Sequence, residues 1–265
     1  MRFSTDERAA YARDGYVLRE RVFTPAEVAA LQDVVETVIA HVGERARRAG
    51  AGPEFTLGDG HRAQFSSQTV IQWEWAAESR QIRLIEPFTH LDPHFAALWD
   101  DPRIREPMRD AFGGEPVAPY TCKLNLKRPH EGSLFPWHQD YAYWYAFTPA
   151  TAHEIATAIL FLDDADPDNG ALRLLPGSHR LGPAPRDRAE PTGFLADPAR
   201  LDTSGERVIA APAGSLLLFP ALMVHRSSPN TSPRQRRAIL LSFQPAGRPA
   251  QRELEWHPER VAELP

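Results

Sequence analysis

Apolar positions in the early part of the chain recur at helical spacing. Val28, Leu31, Val34, Val35, Val38 and Val42 fall on one face of a 3.6-residue repeat. Thr24-Pro25-Ala26-Glu27 in front of them reads as a capping box with proline at the first helical position, and Gly50 lies just past the pattern. Ser4-Thr5-Asp6-Glu7 is another such box, with Gly15 as the stop of a short helix. The run 16–23 predicts a strand. Asp92-Pro93 and Asp101-Pro102 each read as a helix N-cap followed by proline, opening helices that end before Gly113. The part from about 1 to 115 is therefore predicted to be helical.

After Pro116 the period shortens. β-rich runs at 117–127, 134–145, 155–162, 171–176, 207–211, 214–219, 222–227 and 236–244 are separated by Gly, Pro, Asn and Asp. Many short strands broken by turn signals predict a sandwich or barrel. The segment 181–206 is rich in proline, glycine and charge. It is too long for a plain connection and reads as a surface insertion or lid.

Composition narrows the function classes. A net charge of −5 with no Lys/Arg block carries no nucleic-acid signature. The apolar runs 155–162 and 216–224 are too short to span a bilayer, and the start Met1-Arg2-Phe3-Ser4 is too polar for a secretory signal. The single cysteine, Cys122, permits no internal disulfide and reads as a small buried residue. A cytoplasmic protein acting on a small molecule, with no nucleic-acid or membrane partner, is the expectation.

Chemistry concentrates in "FPWHQDYAYW", residues 135–144. In a strand, residues two apart share a face, so His138 and Asp140 would project together while Gln139 turns away. Such a pair is two-thirds of a 2-His-1-carboxylate facial triad, which holds Fe(II) and leaves coordination positions open. The motif alone is weak. "HLD" at 90–92 repeats it, and there Asp92 is explained as a helix cap. A third ligand would be a distant histidine. His225 closes the apolar run 216–224, whereas His179 follows a Pro-Gly-Ser turn and reads as a surface residue.

Taken together, "NGALRLLPGSHR", "GSLLLFPALMVH", "CKLNLKRPHEGSLFPWHQDYAYW" and the opening "RDGYVLRERVFTPAEVAALQ" resemble the phytanoyl-CoA dioxygenase family of Fe(II)/2-oxoglutarate oxygenases. The resemblance runs from about residue 4 to about 245. It implies an α+β fold, mainly β: a double-stranded β-helix (jelly-roll, cupin-like) core at about 116–246 with N-terminal helices packed on it. The 181–206 insertion and a 247–265 tail complete one domain spanning 1–265. It implies His138, Asp140 and His225 as metal ligands, with Fe(II), 2-oxoglutarate and O2 as cofactors and ascorbate as an accessory reductant. The family's cosubstrate arginine falls at Arg236, with Arg234 and Arg237 as rivals; strand alternation turns Arg237 away. The far carboxylate of 2-oxoglutarate needs such a bidentate cation. Ser227, Lys127 and Gln139 are further expected cosubstrate contacts. Trp137, Tyr141, Tyr143, Trp144, Gln64 and Gln72 are expected around the substrate. Related iron halogenases carry Gly or Ala in place of the aspartate, so Asp140 points to hydroxylation, or to desaturation, epimerisation or ring closure if the substrate radical is diverted. A cupin-like metal isomerase or hydrolase, or a non-catalytic metal-binding barrel, is the alternative.

Overall fold

The computed structural model describes residues 1–48, 52, 54–56, 61–66, 68–76, 78–189 and 192–265. Both capping boxes form. Ser4 Oγ accepts from Glu7 N and Thr24 Oγ1 from Glu27 N, and each glutamate reaches back to the cap's own N–H. They open α1 (Thr5–Asp14) and α2 (Pro25–Arg47). Gly15 ends α1 with φ at 82°, a conformation that favours glycine. Gly50 lies outside the described residues. α3 (Pro93–Ala97) and α4 (Pro102–Ala111) start at the expected Asp-Pro caps, and α5 (Asp140–Tyr145) comes later.

The strands are β1 (Val17–Arg19), β2 (Glu54–Thr56), β3 (Arg62–Ser66), β4 (Thr69–Trp73), β5 (Ile82–Glu86), β6 (Val117–Lys127), β7 (Phe135–His138), β8 (Ala156–Phe161), β9 (Leu172–Leu174), β10 (Arg207–Ile209), β11 (Leu216–Pro220), β12 (His225–Ser227) and β13 (Arg236–Pro245). They form two antiparallel sheets, β1-β11-β8-β13-β6-β5-β4-β3-β2 and β10-β9-β12-β7. This is the expected mixed α+β architecture with a jelly-roll core.

Alternation along the strands explains the layering. Leu216 and Leu218 join the cluster under α2, which also holds Val28, Val35 and Ile239. Leu217 and Phe219 face the second sheet and meet Leu172, Leu174 and Met223. A strand covered on both faces reads as a continuous apolar run, which is why "LLLF" shows no period.

Three expectations need correction. The described residues between 54 and 86 are not helical: β2 to β5 pair successively onto β6 and lengthen the large sheet. Their alternation was masked by polar residues such as Gln64, Gln72 and Arg83, which are buried or half-buried here. The run 134–145 is not one strand, because the chain leaves β7 after His138 and winds into α5. Finally, His225 does not end the apolar strand. β11 stops at Pro220, a turn crosses between the sheets, and His225 opens β12.

Candidate active site

His138 and His225 are brought together by strand pairing. They are register partners across β7 and β12, and their ring centroids lie 4.1 Å apart. Asp140 joins them by a different route from the one its spacing implied. Gln139 is the N-cap of α5 and Asp140 its first residue, so a helix start, not strand alternation, turns the carboxylate inward. Ligand atoms of the three residues lie within 4.8 Å of one another, with His138 Nε2 4.0 Å from an Asp140 oxygen.

The donor set suits a metal. His138 Nδ1 lies 2.8 Å from the Pro136 carbonyl and His225 Nδ1 2.9 Å from that of Met223. A carbonyl only accepts, so each Nδ1 carries a hydrogen, which leaves Nε2 as the nitrogen that can face a metal. Burial, and then the neighbouring His225, push His138 well below the ordinary imidazole range, so it stands as a neutral base. Two imidazoles and a carboxylate, all buried, match the donor set of an Fe(II) site. His179 stays outside, packed against Gly15. In the "HLD" decoy, Asp92 accepts from His94 N at 2.8 Å and caps α3.

The triad lies in the wall of a cavity of about 670 Å³, which Arg236, Ser227 and Asn125 also line. Arg236 is the first residue of β13 and is buried. Its Nε has no hydrogen-bond partner, and burial lowers its pKa from the ordinary arginine range to about 10. Asn125 Oδ1 is likewise buried and unpartnered. The rival arginines are engaged elsewhere. Arg237 pairs with Asp163 at 2.7 Å and Glu36 at 3.0 Å on the opposite face, and half-exposed Arg234 pairs with Asp166 at 2.6 Å.

Other expected contacts divide. Tyr143, Trp144 and Gln72 line the cavity. Lys127 does not. Its Nζ donates to the carbonyls of Ser133 and Ser228 at 2.6 and 2.5 Å, behind Phe135. Burial, then the Arg236 and Arg83 guanidinium groups, push Lys127 down to about 6. Gln139 also turns away. Its amide donates to the carbonyls of Leu222 (2.6 Å) and Gly182 (3.1 Å) and accepts from Ala184 N (2.8 Å). Trp137 lies under the Arg226 guanidinium in a separate apolar cluster, and Tyr141 belongs to the core between α5 and residues 261–264. Gln64 ties down the carbonyls of Ala46 and Gly52. In each of these the polar group is spent on backbone, or the ring on core.

Among the lining residues, Arg83 had no usable signal in the sequence. The β4–β5 pairing slips by one residue, with Gln72 opposite Leu84 but Trp73 opposite Ile82. Such a bulge re-aims side chains. Buried Arg83 thereby lines the cavity beside Leu84, donating to Ser133 Oγ, Gln72 Oε1 and the Leu134 carbonyl. Lys123 and Glu86 face each other at 3.5 Å in the same wall. Burial opposes the charge on Lys123, but Glu86 and Asp140 outweigh it and raise its pKa. Thr192, Phe194 and Leu195 of the 181–206 segment, and Gln251, Trp256 and Pro258 of the tail, complete the lining. No described helix is long and apolar enough to cross a membrane.

Comparison with known proteins agrees with this geometry. The family described as phytanoyl-CoA dioxygenase (PhyH) matches residues 11–238. L-proline trans-4-hydroxylase of Streptomyces griseoviridis is 27% identical over 257 residues, covering 90% of this chain and 85% of that protein. Ectoine dioxygenase of Bordetella bronchiseptica is 28% identical over 279 residues, covering 98% and 82%. The crystal structure of EctD from S. alaskensis with bound Fe superposes with a TM-score of 0.71 at 25% identity, over 97% of this chain and 80% of that one.

Proposed function

Because the chain belongs to the phytanoyl-CoA dioxygenase family and is a non-haem Fe(II)/2-oxoglutarate-dependent dioxygenase, we propose that it hydroxylates an aliphatic C–H bond of a small organic molecule, with His138, Asp140 and His225 holding the iron. The observation that carries this reading is a juxtaposition. Three metal-type donors stand at one cavity wall together with a buried guanidinium that no described carboxylate pairs. Iron with 2-oxoglutarate and O2 supplies the oxidising power. The chain's own residues bind and orient.

Arg236 is the partner for the far carboxylate of 2-oxoglutarate, with Ser227 and Asn125 lining the same cavity. A guanidinium already stripped of water gains most from a bidentate anion. The Pro136 and Met223 carbonyls fix the tautomer and tilt of the two imidazoles, so the donors need little reorganisation on loading. Asp140 occupies the place that halogenases leave to a halide, which favours oxygen transfer to the substrate. The aromatic rings of Tyr143, Trp144 and Phe194 keep water from the reacting carbon.

The test is a screen of small metabolites for substrate-stimulated release of succinate, followed by mass spectrometry of the product made under labelled dioxygen with chloride in excess. One labelled oxygen in the product is expected. A halogenated product would overturn the reading of Asp140. Turnover independent of 2-oxoglutarate would return the cupin-like isomerase or hydrolase alternative. Loss of two hydrogens without oxygen would mark a diverted radical.

A further inference from the structure

The chain has six tryptophans, and two of them behave unlike the rest. Trp73, Trp137 and Trp144 are buried and Trp99 packs against the main core. Trp75 and Trp256 are 49% and 52% exposed, yet both line the cavity that holds the triad. Soluble proteins seldom leave two large aromatic faces in water at the rim of one cavity unless something covers them.

Both side chains are held in place. Trp75 follows β4 by two residues, and the ring of His61 meets it edge-on at 4.0 Å and 62°. His61 is itself buried, so it fixes the indole without covering it from the solvent side. Trp256 comes from the tail, 181 residues further along the chain. It is anchored by its neighbours: His257 N donates to the Ala146 carbonyl at 2.9 Å, and Val261 and Leu264 are buried against Tyr141 and Trp144. The rim is therefore assembled from two independently fixed segments.

The cavity also has two chemical characters. Its inner end carries the donors and cations suited to iron and a short diacid. The two tryptophans offer only flat apolar faces and one N–H each. A volume of about 670 Å³ lies in the range that encloses a drug-sized ligand, and a short diacid fills only part of it. Trp256 lies beyond residue 238, where the family match ends, so this feature is not accounted for by family membership.

Resting on the oxygenase reading of the inner end, we propose that Trp75 and Trp256 form an outer subsite that holds the flat face of a ring in the substrate, distal to the carbon that is oxidised. The ligand chemistry is a ring with an apolar face, either aromatic or pyranose. The substrate is accordingly a two-part molecule larger than a single amino acid.

The test uses neutral ring probes: 2-naphthol for the aromatic arm, and methyl α-glucopyranoside and maltotriose for the carbohydrate arm. Each is titrated by tryptophan fluorescence and saturation-transfer NMR into the full chain, both metal-free and loaded anaerobically with Fe(II) and 2-oxoglutarate. One arm is expected to bind, and its Kd should rise at least tenfold in Trp75→Ala and in Trp256→Ala. Trp256→Phe, which keeps a flat ring and the packing of the tail, should retain most of the affinity. Leu181→Ala, at an exposed residue away from the rim, should leave it unchanged. The arm that binds identifies the ring. Binding of neither arm, or binding indifferent to both alanine variants, would overturn the proposal. The metal-free titration reads the subsite independently of whether the wild-type protein consumes 2-oxoglutarate, so failure of the oxygenase reading is distinguishable from failure of this one.

Discussion

Replacing Arg236 with leucine should move two quantities in opposite directions. The side chain is 4% exposed and its Nε lacks a partner. The fall of its pKa by more than two units, to about 10, is caused by burial. At about 1.4 kcal/mol per pH unit, holding this charge without a counter-ion costs the ligand-free protein roughly 3 kcal/mol. An apolar side chain of similar reach relieves that cost, so metal-free Arg236→Leu should be more stable by about 1–3 kcal/mol in urea denaturation. The same change removes the bidentate partner of the distal carboxylate, for a loss of roughly 2–5 kcal/mol. The Kd for 2-oxoglutarate should therefore rise by about 30-fold to several thousand-fold. Calorimetric titration of the Mn(II)-loaded protein measures this without turnover. Arg237→Leu should show the reverse pattern, because it breaks the Asp163 and Glu36 pairs and leaves the cavity alone. A destabilised Arg236→Leu protein with unchanged affinity would refute the reasoning and make Arg236 a structural residue.

Replacing His138 or His225 with alanine should abolish stoichiometric Fe(II) binding in anaerobic calorimetry while far-UV circular dichroism stays native. His179→Ala should bind iron normally, and the opposite pattern would displace His225 from the ligand set. Lys127 gives a pH signature. Its folded pKa of about 6 lies below its ordinary 10.5, so between those values the unfolded chain holds a proton that the folded one does not. Its contribution to stability therefore rises with pH across that window, by up to about 1.4 kcal/mol per unit. Lys127→Met should lose that slope when unfolding is compared between pH 7 and 9, and parallel curves for the two proteins would show that Lys127 stays charged.

What was legible in the sequence was what local chemistry decides. The capping boxes at Ser4 and Thr24 need only residues three apart, and both form. Strands β6 and β8 were found almost to the residue, because long apolar or alternating runs declare themselves. Pairing the two histidines required the family resemblance, since no local pattern links positions 138 and 225. The right companion of His138 was chosen by a wrong route: a helix start, invisible in an aromatic run, replaces the alternation expected at Asp140. Expected cosubstrate contacts failed where geometry is set by distant partners. Gln139 is captured by the carbonyls of Leu222 and Gly182, and Lys127 by those of Ser133 and Ser228. Arg83 was hidden because a bulge breaks the period that would have placed it. The part played by the tail depends on long-range docking that composition does not encode.

The position of β13 has a bearing on how the protein is made. This strand, 236–245, is the last in sequence but lies in the interior of the large sheet, between β8 and β6. Until it emerges from the ribosome, the strands on either side have open edges and the sheet exists as two separate halves. Such edges are templates for pairing with other chains. A nascent chain stalled before residue 236 would carry both imidazoles and the aspartate, yet would lack the strand that joins the halves and brings Arg236 into the cavity. Vectorial folding of this protein therefore cannot finish early, and chaperone capture and co-translational aggregation should peak just before β13 is released.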